Sequence, residues 1–139
     1  MIRLAAAAAL MFASAPAAAQ SAADSRIALT FETGARTGTV MIALFDSEAA
    51  YTGGAPVAQV AIPASGPVVA TFENLPAGDY AVRAFHDVNG DGQMNTNPFG
   101  MPTEPFAFSN NAVGNMGPAR WDRARFVVSG ETTQTISIR

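Results

Sequence analysis

From Arg26 onward, apolar residues recur at every second position in short runs broken by Gly, Pro, Asn and Asp, and this limits the possible folds more than any other feature. A period of two places successive side chains on opposite faces of an extended strand, whereas a helix needs a period near 3.6. No helical period runs through this region, so a nearly all-β domain is expected. Ile27, Leu29 and Phe31 alternate with Ala28, Thr30 and Glu32, which predicts a half-buried strand. Thr39 to Asp46 is apolar on both faces and rich in branched or aromatic residues, which predicts a central strand covered on both sides. In a further strand Tyr80, Val82, Ala84 and His86 share one face, and Ala81, Arg83, Phe85 and Asp87 share the other.

The punctuation between these runs sets the topology to be expected. Gly53 to Pro56 ends one connection, and Asn74 to Tyr80 reads as a tight turn. Val57 to Ile62 and Val68 to Phe72 flank Pro63, Ser65, Gly66 and Pro67, turn chemistry that fits either a hairpin or a strand crossing between sheets. Ala124 to Val128 and Thr132 to Ile138 read as a last pair around Ser129-Gly130-Glu131. About seven short strands with frequent turns predict a single β-sandwich, with a small barrel as the alternative. At 139 residues and 49% hydrophobic content the chain is long enough for one such core and too short for two.

The N-terminus has the three parts of a secretory signal peptide: Arg3, an alanine-rich apolar run from Leu4 to Ala15, and small residues at Ala17 and Ala19. Cleavage after Ala19 would divide the chain into a signal peptide, 1–19, and a domain, 20–139, in the periplasm or secreted. A membrane anchor is the alternative, but a spanning helix needs about 20 apolar residues, and Ser14 and Pro16 interrupt this run. No later segment is suited to crossing a bilayer as a helix. The absence of cysteine excludes disulfides, thiolate metal sites and a lipid-modified cysteine. There is no lysine, and the formal charge of −3 becomes about −4 without Arg3. That argues against nucleic acid, whose binders need a basic stripe to displace counterions from phosphate. The one basic cluster, Arg120, Arg123 and Arg125, contains Asp122 and reads as a solvated face.

Candidate chemistry concentrates between His86 and Asn111. Counting Asp87 as position one of a calcium loop, Asn89 falls at three, Asp91 at five, Gly92 at six, Gln93 at seven through its carbonyl, and Asn95 at nine. A hand-type loop closes with a bidentate carboxylate at position twelve, and here that residue is Pro98. Glu104 is the nearest later acid able to fold back in its place, so Asp87, Asn89, Asp91, Gln93, Asn95 and Glu104 form the candidate calcium set. The competing interpretation is a purely structural loop, in which Asp and Asn side chains cap their own backbone and Gly supplies positive φ.

Several segments together resemble a known family: the Leu75-Pro76-Ala77-Gly78-Asp79-Tyr80 turn, the stretch through Phe85-His86-Asp87, Gly100-Met101-Pro102 with Glu104-Pro105, and Phe108-Ser109-Asn110-Asn111. The chain is similar to the exported bacterial domain-of-unknown-function family 2141 over essentially all of its mature length. That resemblance implies export and a β-sandwich, and it brings no assigned reaction. The Leu75 to Tyr80 turn is also similar to that of transthyretin-like and carboxypeptidase regulatory-like sandwiches, which implies a prealbumin-like arrangement of two sheets; the fold expected is thus a prealbumin-like or immunoglobulin-like sandwich with one long ordered loop.

Enzymatic readings are poorly supplied. His86 is the only histidine, whereas catalytic zinc needs about three protein ligands. Ser109 lacks the glycine-flanked elbow of a hydrolase nucleophile. Transthyretin-like hydroxyisourate hydrolases use several histidines and a Tyr-Arg-Gly-Ser ending, and this chain ends Thr135-Ile136-Ser137-Ile138-Arg139. The expectation is therefore a non-enzymatic binding or envelope-associated module. A small periplasmic hydrolase using His86, Asp87 and Glu104 is the rival, and a module with no ligand is the third reading. Phe99, Phe106, Phe108 and Trp121, on a backbone stiffened by Pro98, Pro102, Pro105 and Pro118, suit a glycan, a peptide or an envelope component as partner. At least two of those rings are expected to fold inward as the private core of a loop of about 30 residues, with Asn95, Asn97, Asn110 and Asn111 satisfying backbone groups.

Overall fold

The alternating runs become strands that bury one face each. A computed structural model describes residues 24–138, and the predicted signal segment 1–19 lies outside the described residues. The strands are β1 (Ser25–Thr33), β2 (Thr39–Phe45), β3 (Ala58–Pro63), β4 (Val68–Leu75), β5 (Gly78–Asp87), β6 (Phe106–Phe108), β7 (Phe126–Val128) and β8 (Glu131–Ile138). Two short helices, α1 (Glu48–Gly53) and α2 (Trp121–Ala124), and a 3-10 turn at Ser109–Asn111 interrupt them. One sheet has the order β4-β1-β8, and the other runs β3-β2-β5-β6 with β7 also pairing β5. The sheets pack face to face as an all-β sandwich, the class expected from the alternation.

The core between them is the set the sequence marks. Ile27, Leu29 and Phe31 from β1 meet Val40, Ile42 and Leu44 from β2, Val68, Ala70 and Phe72 from β4, and Tyr80, Val82 and Ala84 from β5. Each fully buried Leu, Ile or Phe contributes about 1.5–3 kcal/mol relative to exposure. β2 is covered on both sides as its composition requires, because Phe45 joins a second cluster on the outer face of its sheet. Tyr51 of α1, Ala81, Phe108, Ala119 and Ala124 complete that cluster, with Trp121 packed against it. Phe108 and Trp121 are thus the two inward-folding rings of the long loop, whereas Phe99 is 90% exposed and Phe106 is 38% exposed.

Three connections differ from, or decide between, the readings of the sequence. β3 and β4 lie in different sheets, so the Pro63 to Pro67 segment is a crossing and not a hairpin. β7 and β8 are not a pair: β7 bonds to β5, and β8 runs parallel to β1 from Arg26↔Glu131 to Thr33↔Ile138. The Ser129-Gly130 turn carries the chain across the sandwich, because Val128 and Ile136 must enter the same core from opposite sheets. Ala124 belongs to α2 and not to a strand. The helices escape a periodicity search because each is only a turn or so long. Ser47 caps α1 by accepting from Ala50 N–H at 3.1 Å.

β5 is the strand on which the second sheet is built. β2 pairs one edge from Ala81 to Asp87. The other edge is shared, with β7 opposite Gly78 to Tyr80 and β6 opposite Arg83 to Phe85. Between these short ladders Val82 would have a buried, unpaired N–H. The Ser109 Oγ accepts from it at 2.9 Å and donates onward to the Ala124 carbonyl, so one hydroxyl completes the edge. Asn110 and Asn111 follow at φ 61° and 50°, a left-handed conformation that Asn tolerates. Asn111 pairs with Thr135 O at 3.1 Å and Ser137 N at 2.9 Å, and Asn110 pairs with Gln134, which ties this segment to β8 of the other sheet. At the other end of β5 the Tyr80 hydroxyl donates to Pro76 O at 2.6 Å and fixes the turn between sheets.

Ser109→Ala removes the bridging hydroxyl and leaves both Val82 N–H and Ala124 O without this partner. It is expected to lower unfolding stability by roughly 2 kcal/mol or more, read as a shift in the urea midpoint with unchanged slope, and to speed hydrogen exchange at Val82 more than at neighbouring strand amides.

Candidate metal centre

The loop that leaves β5 is organised by short-range Asx bonds, and its far end returns to its start. Asp87, the last residue of β5, accepts from Asp91 N–H at 3.2 Å and Gly92 N–H at 2.7 Å. Asn89 Oδ1 also accepts from Asp91 N–H, and Asp91 Oδ1 accepts from Gln93 N–H at 2.9 Å. Gly90 and Gly92 supply the positive φ values, 72° and 76°, that these turns require. Asn95 Nδ2 donates to Asp91 Oδ2 at 2.9 Å, and its Oδ1 accepts from Asn89. The side chain of Asn95 therefore serves the acidic cluster, while Asn97, Asn110 and Asn111 bond to backbone as expected.

Residues 95–103 form a small fold-back. Thr103 N–H donates to Asn95 O at 2.8 Å, Thr96 bridges Pro102, and Asn97 Oδ1 accepts from Phe99 and Met101 N–H around Gly100. His86 N–H then donates to Pro105 O at 2.8 Å, which docks the residue after Glu104 beside the residue before Asp87. The result is a cluster in which ligand atoms of Asp87, Asp91 and Glu104 all lie within 4.8 Å of one another. Asp87 is 2% exposed and Glu104 8%, with Asp91 at the surface. Gly38 backs the site so closely that a Cβ there would lie 2.0 Å from the Asp87 carbonyl oxygen.

The electrostatics of the cluster are unbalanced. Two charged carboxylates as close as Asp87 and Glu104 repel by roughly 3 kcal/mol at an effective dielectric near 20. Backbone donors offset the charge of Asp87, but Glu104 Oε2 is buried with no hydrogen-bond partner. An unpaired buried carboxylate oxygen is costly, and among the described residues no arginine side chain forms an ion pair with Asp87, Asp91 or Glu104. An arrangement of hard oxygens around a point of excess negative charge is what calcium coordination uses.

The other sequence candidates fall elsewhere. His86 is fully buried on the inner face of β5, with Nε2 2.6 Å from Thr37 O and Nδ1 without a partner. Strand alternation turns it away from Asp87, so His86, Asp87 and Glu104 do not converge as a hydrolytic set. The Ser109 hydroxyl is engaged in the β5 edge. Gln93 is exposed and meets Asp91 through its own N–H.

Arg83 is the functional candidate that the sequence reading passed over. Its guanidinium lies on the outer face of β5, 4.1 Å from the Tyr51 ring centroid and 5.5 Å from that of Phe45. The available signal was a single positive charge between Ala81 and Phe85, facing the apolar outer residues of β2. Burial pushes the Tyr51 phenol above its ordinary value, with Arg83 opposing, so the phenol keeps the proton it donates to Ala119 O.

Together the fold and the cluster define an all-β sandwich with a carboxylate-rich loop at one end of its central strand. The chain belongs to the family described as an uncharacterized protein conserved in bacteria (DUF2141), whose model matches residues 32–137. No curated protein and no solved structure matches, so the likeness to prealbumin-type sandwiches rests on the Leu75 to Tyr80 turn alone. Among the described residues no helix is long and apolar enough to cross a membrane.

Asp91 gives this loop a defined acid response. The Gln93 N–H first, then Asn95 Nδ2, hold its carboxyl below the ordinary value of 3.8. A carboxylate whose folded pKa is depressed adds stability that is present above the unfolded value and lost as pH falls through the folded one. An NMR titration from about pH 6 to pH 2 should therefore place the Asp91 midpoint below 3.8, with the Gln93 amide moving alongside it, and Asp91→Asn should abolish that coupled transition.

Proposed function

We propose that this chain is an exported, non-enzymatic binding module of the bacterial envelope whose 87–104 loop is organised by a calcium ion. The supporting observation is Glu104 Oε2, a buried and unpartnered carboxylate oxygen held with Asp87 and Asp91 in one cluster. Calcium takes about six to eight oxygens. The three carboxylates would supply the charge, and Asn89, Asn95 and the Gln93 carbonyl lie in the same short loop to supplement them. The hydrolase alternative draws no support from the inward-facing ring of His86. An ion here would fix the loop that carries Phe99 and Met101, both exposed, for contact with a glycan, peptide or envelope component.

Calorimetric titration of calcium into chelator-treated mature protein is expected to show saturable binding, with magnesium as control. The melting temperature should rise with it, by the equivalent of about 2.7 kcal/mol at a hundredfold excess over Kd. Glu104→Gln should remove this response while raising the melting temperature of the chelator-treated protein, because an unpaired buried charge is relieved. Silence at millimolar calcium, with no change in melting, would overturn the ion reading and leave a loop held by its own Asx bonds.

Export carries its own test. Mass spectrometry of protein from a periplasmic extract or culture medium should give a chain beginning at Gln20, and an intact Met1 confined to the cytoplasm would refute it.

A further inference from the structure

Four residues before Asp87 on the same outer face, about 13 Å along the strand, Arg83 opens onto a separate cleft of about 640 Å3. Its walls include Tyr51, Arg83, Arg120, Trp121 and Arg125, with Glu48, Thr52 and Asp122 among the remaining lining residues. That size lies within the range of about 300–1,000 Å3 typical of small-molecule sites. The volume, however, is the least specific of its properties.

The charges are not equivalent. Arg120 pairs with Asp122 at 3.6 Å and Arg125 with Asp79 at 3.4 Å, both in exposed positions. Arg83 forms no ion pair among the described residues, and its Nε is buried without a hydrogen-bond partner. Tyr51 covers one face of the guanidinium at 4.1 Å. A guanidinium lying over a ring still has terminal N–H groups to donate, and a pair of such groups matches a carboxylate with two parallel bonds. Tyr51 is held in turn by its hydroxyl bond to Ala119 O, by an edge contact with Phe45 at 5.5 Å and by Trp121 at 5.7 Å. The arginine therefore stands on a braced aromatic platform, with its Nε closed off from solvent and its terminal nitrogens left as the donors that face the cleft.

We propose that this cleft binds an acidic sugar of the uronic acid type. Its carboxylate would sit on Arg83, its ring would lie against Trp121, and its hydroxyls would meet acceptors on Glu48 and Asp122. Carboxylate recognition follows from the unpaired guanidinium. The sugar body follows from the neighbouring indole and rim carboxylates, since a flat apolar face with hydroxyl acceptors beside it suits a ring carrying hydroxyls. The rim carboxylates also disfavour a polyanion by like-charge repulsion. The cleft uses none of the calcium candidates, so this proposal does not depend on the ion reading.

Trp121 is the only tryptophan, which makes intrinsic fluorescence a direct reporter of the cleft. Glucuronic acid titrated into chelator-treated mature protein should change Trp121 emission saturably, and glucose at equal concentration should not. Arg83→Gln should weaken glucuronate at least tenfold, about 1.4 kcal/mol. Arg83→Lys, which keeps the charge and loses the two-bond fork, should also weaken glucuronate severalfold and decides the matter if Arg83→Gln fails to fold. Equal responses to glucose and glucuronate, parent-like affinity in the folded Arg83→Gln protein, or saturation by an acidic tripeptide without a response to glucuronate would overturn the proposal.

Discussion

The hydrogen bonding of one strand's backbone governs this structure. β5 is ten residues long and runs through the middle of its sheet, so each buried N–H and C=O along it needs a partner. On one side β2 supplies them continuously. On the other, two three-residue strands meet it at either end, and the hydroxyl of Ser109 fills the gap at Val82. Because that hydroxyl also holds Ala124 O, it joins β6, α2 and β5 at one buried point. The asparagines that follow then join the same segment to β8 in the opposite sheet. The Phe-Ser-Asn-Asn stretch is thus the seam of the sandwich, with Phe108 packed beneath it in the outer cluster.

The same strand presents both candidate sites. Its outer face carries Arg83 toward a cleft and ends at Asp87 in the acidic loop, while its inner face carries Tyr80, Val82 and Ala84 into the core. A strand holds such side chains more rigidly than a loop does, since strand positions are set by backbone pairing and not by loop fluctuation. Each site retains a buried polar atom without a protein partner, Arg83 Nε in one and Glu104 Oε2 in the other. The two deficits are opposite in sign, an unmet donor in one and an unmet acceptor in the other.

Much of this was legible in the order of residues. The alternation of Ile27, Leu29 and Phe31, the two apolar faces of β2 and the turn ending at Tyr80 gave strands where strands occur. Asp87, Asn89 and Asp91 announced a tight Asx loop because those bonds span only a few residues. The pairing of β7 and β8 was misread because a Ser-Gly turn has the same local chemistry whether it joins neighbouring strands or crosses between sheets. α1 and α2 were invisible because a helix of a single turn or so shows no period. Arg83 was passed over because its platform, Tyr51, comes from a distant helix and nothing near it in sequence marks the stacking.

The sequence by itself determined the β class, the buried faces, the position of the acidic loop and the scarcity of catalytic groups, since all of these follow from composition and short-range spacing. Tertiary structure decided which strands are neighbours, which oxygen joins Asp87 and Asp91, and that Arg83 sits over Tyr51 with no counterion among the described residues. Glu104 reaches the cluster because His86 bonds Pro105 and the intervening hairpin folds back, a closure fixed by backbone hydrogen bonds between residues far apart in the loop. Local spacing states what a side chain is able to do. Only the folded chain determines which other groups surround it and whether its charge is satisfied.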